Sequence, residues 1–427
     1  MVHDHAVVSF DDERAVANAG AILPAVLADR LGLVDVVDRC VSLSGGPGAG
    51  NAGRKVASIV HAMALGADSI DDCTVLRAGQ TEAVLGFAAL APSTLGTFLR
   101  AFTFGHVRQL DRVFGELLRR SWAAGAGPGD GRLVVDVDSF VGQTHGYEKQ
   151  GASFGYTGIR GYHPLLATRA DTGEVLHVRC RKGAANTARG VLRFVEELLP
   201  RLERAGATGE KLLRADSGFW NNRLMNRLEA AGWFYSIGVR MQKSIQAAID
   251  RIPDQDWTVL ADYPKTGVAQ IAQTMIGTRR LVVRRVRLLG PQAEMFPQWR
   301  HFAFFTNRTE PIEVVEKEHR QHAVVELSIR DLKDGALAHF PSGRFSANSA
   351  WTVLGCVAHN LLRWTQILGL PGTTIRTAAK VRTRLLALPG RLTRHGRQTR
   401  LRLPARWPWA DQFLAALTRL RALPAPG

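Results

Sequence analysis

Two aspartates and one glutamate carry the chemistry this chain could perform. Asp138 closes an apolar strand, Leu133-Val134-Val135-Asp136-Val137-Asp138-Ser139. Asp216 closes a second, Lys211-Leu212-Leu213-Arg214-Ala215-Asp216-Ser217-Gly218-Phe219. Glu326 lies in a long helical stretch with His319, His322 and Lys333. Carboxylates from two strand ends and one helix can converge on a pair of divalent cations. Hard ions such as Mg²⁺ take oxygen ligands and keep positions open for substrate phosphate. Two of them can stabilise the attacking and the leaving oxygen of a phosphodiester.

Each acid also has an ordinary explanation when taken alone. A strand-end aspartate is often a turn residue, and Asp216 before Ser217-Gly218 could simply accept amides of the following turn. Asp136 and Asp138 are two apart on a strand, so they share a face opposite Leu133, Val135 and Val137. Two carboxylates there repel unless a cation or a basic group separates them, which makes Asp136 an alternative or additional acid. His319, His322, Glu326, Arg330 and Lys333 recur at spacings of three and four, one polar stripe on a single helix. Bases around an acid suit a site where the acid holds metal and the bases hold phosphate. A solvated face is the plainer reading. The two histidines hint at zinc, but no further ligands stand at an evident spacing.

The elements that must position these residues can be read from the pattern. Up to about Ala126 the chain reads as helical, with apolar positions three and four apart through Ile22–Val36, Val56–Leu65 and Phe98–Leu118. Pro92-Ser93-Thr94 marks a helix start capped by Ser93 or Thr94. With Thr81–Leu90 before it, this is either a helix-turn-helix that reads DNA or a bundle that packs on the rest. Ser42–Gly53 is a glycine-rich loop without the Lys-Ser/Thr of a P-loop. A glycine-rich linker, 123–130, ends the helical region.

Beyond it come a strand (Leu133–Val137) and a hairpin (His163–Ala170 and Val175–Arg181 around Asp171-Thr-Gly173). A helix (Thr187–Ala205), a strand (Lys211–Ala215), a helix (Asn222–Ala231) and a strand (Trp233–Val239) come next. That order is that of an RNase H-like α/β core, in which the ends of the first and fourth strands are neighbours. Val268–Met275, Arg279–Leu288 and Trp299–Phe305 make 257–307 a β-rich insertion. After it stand a helix from Pro311 to about Leu337 and another over Asn348–Leu368. The predicted fold is thus an α/β RNase H-like core with a β-rich insertion, an α-helical N-terminal region and a helical, basic C-terminal region. The domains run 1–126, 131–256, 257–307, 308–370 and 371–427.

Charge narrows the partners. The 427 residues carry a net charge of +17, and the pI is near 10.5. Such a field attracts polyanions. Residues 371–427 hold twelve Arg or Lys and one acid, Asp411, interleaved with Trp407 and Trp409. DNA phosphate contact is the better explanation of so lopsided a stretch. No apolar run approaches the roughly 20 residues of a spanning helix, so no membrane role is expected. Met-Val-His-Asp-His lacks the layout of a signal peptide. Cys40, Cys73, Cys180 and Cys356 are widely separated and read as free thiols of a reducing cytoplasm.

Taken together, the motifs resemble the DDE transposases of bacterial insertion sequences, in the DDE group 1 branch. The resemblance spans nearly the whole chain. It rests on Asp136-Val-Asp138-Ser, His145-Gly-Tyr-Glu-Lys-Gln-Gly151 and Gly155-Tyr-Thr-Gly-Ile-Arg-Gly-Tyr-His-Pro-Leu165. It continues through Thr172-Gly-Glu-Val175, Arg181-Lys-Gly183, Arg214-Ala-Asp-Ser-Gly-Phe219 and Asp331-Leu-Lys-Asp-Gly335. Phe345-Ser-Ala-Asn-Ser-Ala350 and His359-Asn-Leu361 complete it.

The resemblance implies a triad of Asp138, Asp216 and Glu326 holding two Mg²⁺ ions, for which Mn²⁺ can substitute. Asp138 is preferred to Asp136 because a small hydroxyl residue, Ser139, follows it. The family's glutamate helix often has tyrosine seven before the acid, arginine four before and lysine seven after. Here Lys333 fits, while His319 and His322 hold the first two places and Arg320 can compensate, with Arg330 as a further phosphate contact.

The implied activity is cleavage at element ends and strand transfer into target DNA, by a homodimer on double-stranded DNA in the bacterial cytoplasm. A nuclease of the same fold and a transposase-derived DNA-binding protein without catalysis are the alternatives.

Overall fold

The computed structural model describes residues 2–43, 45, 48–155, 157–263, 267–288, 299–396 and 398–425. Ser44, Gly46 and Pro47 of the glycine-rich loop, Tyr156 of one motif, parts of the β-rich segment (264–266 and 289–298) and Arg397 lie outside them. The chain divides into two compact units, one of 1–126, 148–150 and 331–427, the other of 127–147 and 151–330.

The second unit is built on a mixed sheet of nine strands among the described residues. Leu133–Ser139 pairs in parallel with Lys211–Ala215, which pairs in parallel with Phe234–Gly238. On the other side of Leu133–Ser139 comes the hairpin strand Leu165–Arg169, antiparallel, and then Val175–Arg179. Leu212, Leu213, Arg214 and Ala215 are all buried, so the strand Lys211–Ala215 is covered on both faces. This is why it reads as a continuous apolar run rather than an alternation. Val191–Ala205 packs on the hairpin and Asn222–Ala230 on Phe234–Gly238. Fully burying side chains such as Leu198, Leu213 or Leu228 contributes roughly 1.5–3 kcal/mol apiece.

The β-rich segment extends this sheet instead of folding apart from it. Arg300–Thr306 pairs antiparallel with Phe234–Gly238, and Arg279–Leu288, Gly267–Ile276 and Thr258–Val259 continue outward. Phe234–Gly238 would otherwise present a long unpaired edge, which proteins avoid.

The first unit is helical. Phe345–Gly369 is buried along most of its length and packs against Ala52–Leu65, Phe104–Ser121, Ile22–Arg30, Pro92–Arg100 and Ala410–Ala422. It therefore belongs with the N-terminal helices, not with the α/β core expected from the order of elements. Its buried Arg363 donates to Asp331 Oδ2 at 2.9 Å and to the Arg376 carbonyl at 3.1 Å. No helix among the described residues is long and apolar enough to cross a membrane.

Two N-terminal expectations change in detail. The run Ile22–Val36 is two helices, broken where Gly32 adopts φ 64°, a conformation that favours glycine. Ser93 and Thr94 lie inside the first turn of Pro92–Arg100, with Ala91 in the capping position and proline at the helix start.

The basic C-terminal stretch is folded into the same unit. It forms the hairpin Gly390–His395 and Gln398–Arg402, paired to Ala15–Val16, and then the helix Ala410–Ala422. Some of its arginines serve the fold. Arg382 donates to the carbonyls of Ala64 and Met63 at 2.9 and 3.1 Å, satisfying the end of Ala52–Leu65. Arg419 does the same for Gly369 at 3.1 Å. Trp407 and Trp409 pack edge to face at 5.6 Å, with Arg384 over the Trp409 ring. All four cysteines are free.

Candidate active site

The register of the two parallel strands brings the aspartates together. Val137 is paired with Ala215, so Asp138 and Asp216 occupy the next positions at the same ends of adjacent strands. Asp138 Oδ1 accepts the amide of Ser139 at 2.6 Å. The Ser139 hydroxyl lies 2.9 Å from His163 Nε2, and His163 Nδ1 lies 2.6 Å from the Ala185 carbonyl. A carbonyl can only accept, so Nδ1 carries the proton and Nε2 accepts from Ser139. Burial holds the His163 pKa below its usual value, in keeping with that neutral tautomer.

Asp216 caps the short turn Ser217–Phe219, its Oδ1 accepting the Gly218 amide at 2.9 Å. A Cβ on Gly238 would lie 2.7 Å from the Ser217 nitrogen. Only glycine at the end of Phe234–Gly238 lets that strand approach the Asp216 turn so closely.

The glutamate arrives by a broken helix. The continuous helix expected from Pro311 to about Leu337 is in fact Ile312–Arg320, a 3₁₀ turn Gln321–Val324, and Val325–Lys333. Glu326 is exposed in the first turn of the last piece, while Val325, Ser328 and Ile329 face inward. Ser328 donates to the Gly173 carbonyl of the hairpin at 3.1 Å. Glu326 acts electrostatically on Asp138. The Asp138 pKa is pushed up to about 6, by burial first and then by the charges of Asp216 and Glu326. The Ser139 amide and His322 pull the other way. Asp216 and Glu326 both act on Asp138, and carboxylates offer only oxygen donors, the kind a hard divalent cation takes.

The break disperses the expected polar stripe, because a 3₁₀ turn changes the helical phase. His319 turns inward, its Nδ1 2.7 Å from Ser236 Oγ and its ring stacked on Phe304 at 4.0 Å. Burial, then the nearby His322, Arg214 and Arg284, drive its pKa down to about 3. A ring so held is neutral. His322 turns to Asp136, Nδ1 to Oδ1 2.9 Å. Arg320 is tied to Glu316 at 3.0 Å and to Asp262 at 2.9 Å. Arg330 is exposed one turn beyond Glu326, and the exposed Lys333 falls in the helical unit.

Asp136 has its own partners. Its buried carboxylate accepts Arg214 Nε and Nη2, both at 2.7 Å. A basic group thus neutralises Asp136. Arg214, Gly238 and His163 are contributors to which sequence reasoning assigned no role. The signals for Arg214 were a charged residue inside an apolar strand and its place at the head of the motif 214–219.

A large mixed α/β sheet with two aspartates at adjacent strand ends and a glutamate on a following helix defines the class of fold and site. The family described as Transposase DDE domain group 1 matches residues 2–425, and the chain belongs to that family. Among solved structures it is similar to one in a cryo-EM structure of the piggyBac transposase synaptic complex with hairpin DNA. The identity is 11%, the TM-score 0.46, and the match covers 87% of this chain and 80% of that one. No protein of curated function matches the chain.

Proposed function

We propose that this protein is an insertion-sequence transposase that cleaves DNA at element ends and joins the freed ends to target DNA. The observation that carries the reading is the placement of Asp138 and Asp216 on adjacent parallel strands, with Glu326 acting on Asp138, in a chain of this family. The order of the three parallel strands and the hairpin supports an RNase H-like core.

Asp138, Asp216 and Glu326 would hold two Mg²⁺ ions, or Mn²⁺ in their place. Bound there, the ions supply Lewis-acid stabilisation of the attacking and leaving oxygens. The Ser139 amide and the Gly218 amide fix the Asp138 and Asp216 carboxylates, so the donors are preorganised. Arg330, exposed on the same helix face as Glu326, contacts a substrate phosphate. Water cleaves one strand at the element end, and the 3′-hydroxyl so released attacks a target phosphodiester, one P–O bond forming as another breaks. The protein's part is positioning and electrostatics, without a covalent intermediate.

Double-stranded DNA is the partner, as terminal repeats and as target, and a homodimer in the bacterial cytoplasm brings two ends together. The exposed arginines of the C-terminal hairpin contribute sequence-independent phosphate contacts. The test is a strand-transfer assay with Mg²⁺ and the DNA that borders the protein's own gene. Joined products are expected. Nicked DNA without joining would show a nuclease, and bound but uncut DNA a binding protein.

A further inference from the structure

One buried cluster beside the three acids is not used by the chemistry above. Asp136 and Arg214 are register partners across the two parallel strands, 0% and 1% exposed. Arg214 holds both oxygens of Asp136 and then reaches further. Its Nη1 donates to the Glu318 carbonyl at 2.6 Å and its Nη2 to the Gln321 carbonyl at 3.3 Å. His322 Nδ1 donates to Asp136 Oδ1 at 2.9 Å. Glu318, Gln321 and His322 flank the place where Ile312–Arg320 gives way to the 3₁₀ turn.

We propose that Asp136 is a positioning residue and not a metal ligand. With Arg214 and His322 it fixes the helix break that turns Glu326 toward Asp138. The inference rests on the assignment of Asp138, Asp216 and Glu326 as the metal site.

Helix geometry supplies the reason. Residues seven apart on an unbroken α-helix lie within ~20° of one another around the axis. Glu326, seven beyond His319, would then share the inward face on which His319 packs against Phe304. A 3₁₀ turn advances each residue about 20° further than an α-helix, so four such residues rotate the next helical piece by roughly 80°. That rotation takes Glu326 off the buried face. The carbonyls at the break are satisfied by Arg214, and Arg214 is oriented by Asp136. Ligation of metal by Asp136 would require it to release a buried guanidinium, which is strongly unfavourable.

The experiment uses the full chain, with Mn²⁺ titrated calorimetrically without DNA and cleavage measured on a labelled duplex. Asp136→Asn should bind the wild-type number of Mn²⁺ ions yet cleave about 100-fold more slowly, the scale of a misplacement near 1 Å. Asp138→Asn should bind fewer ions. His322→Asn presents an N–H close to where Nδ1 stands, so it should stay close to wild type, whereas His322→Ala should fall with Asp136→Asn. Combining Asp136→Asn with His322→Ala should cost no more than the worse single change. Loss of a bound ion in Asp136→Asn, or equal losses in His322→Asn and His322→Ala, would overturn the proposal. If Asp136→Asn fails to fold, the half-buried His322 pair decides the question. If Asp138→Asn binds the full number of ions, it is the metal-site assignment that fails.

Discussion

Arginine does different work in the α/β unit and on the C-terminal hairpin of the helical unit. In the α/β unit several guanidiniums face carboxylates: buried Arg214 on Asp136 at 2.7 Å, buried Arg308 on Glu318 at 2.6 Å and half-buried Arg284 on Glu316 at 2.8 Å. In the C-terminal hairpin of the helical unit two arginines face one another. Arg391 stands directly across from Arg402, and Arg400 from Thr393, all three arginines exposed on one face. Asp12 lies 3.6 Å from Arg391. Like charges paired across strands destabilise a sheet unless something neutralises them. Where arginine meets acid it builds the fold; on this hairpin face it leaves positive charge exposed.

The largest effect that could break this contrast is on stability. Arg214→Met leaves the buried Asp136 carboxylate without its guanidinium and with only His322 beside it, and should destabilise the protein by ~3–5 kcal/mol in urea unfolding. The same measurement on Arg400→Met should show a change within about 0.5 kcal/mol, because the residue is exposed. Similar losses at the two positions would dissolve the distinction.

A comparable effect comes from a buried base in the helical unit. His61 is 2% exposed, its Nδ1 donates to the Ala57 carbonyl at 2.8 Å, and burial lowers its pKa to about 4. The unfolded chain takes up this proton near pH 6.5 and the folded one only near pH 4. The contribution is therefore complete above pH 6.5 and is lost as pH falls toward 4, up to ~3 kcal/mol. His61→Leu should reduce this acid sensitivity, measured as urea midpoints at pH 7 and pH 4.5. An unchanged difference between the two midpoints would assign the acid lability elsewhere.

The smallest effect sharpens the other half of the contrast. Replacing Arg391, Arg400 and Arg402 together by glutamine should leave the unfolding midpoint nearly unchanged. The dependence of duplex affinity on salt should flatten by about 0.9 in slope for each phosphate that is no longer neutralised. An unaltered slope would make the hairpin a solvated surface.

The aspartate half of the candidate site could be read from the sequence because it is local and regular. Two apolar runs, each ending in Asp, define strands whose parallel register is set by the order of elements, and the structure pairs Val137 with Ala215. The glutamate half could not be read to the same depth. Nothing in Gln321-His322-Ala323-Val324 is glycine or proline, so apolar spacing alone predicts one long helix. The break coincides with carbonyls bound by Arg214, more than a hundred residues away in sequence. The same reason explains Phe345–Gly369. Its apolar periodicity announces a helix, but not which unit it completes. The β-rich segment is recognisable as strands, whereas its union with the core sheet depends on pairing between Arg300–Thr306 and Phe234–Gly238, which strand patterns do not encode.

The central claim is that Asp138 belongs to a metal-holding triad that cuts DNA. Its most direct test compares wild type with Asp138→Asn on a duplex carrying one end of the element, following duplex binding and Mg²⁺-dependent strand cleavage in the same samples. The substitution removes a charge and little volume. The account predicts wild-type duplex affinity with cleavage reduced to background. Cleavage by Asp138→Asn at the wild-type rate would contradict it.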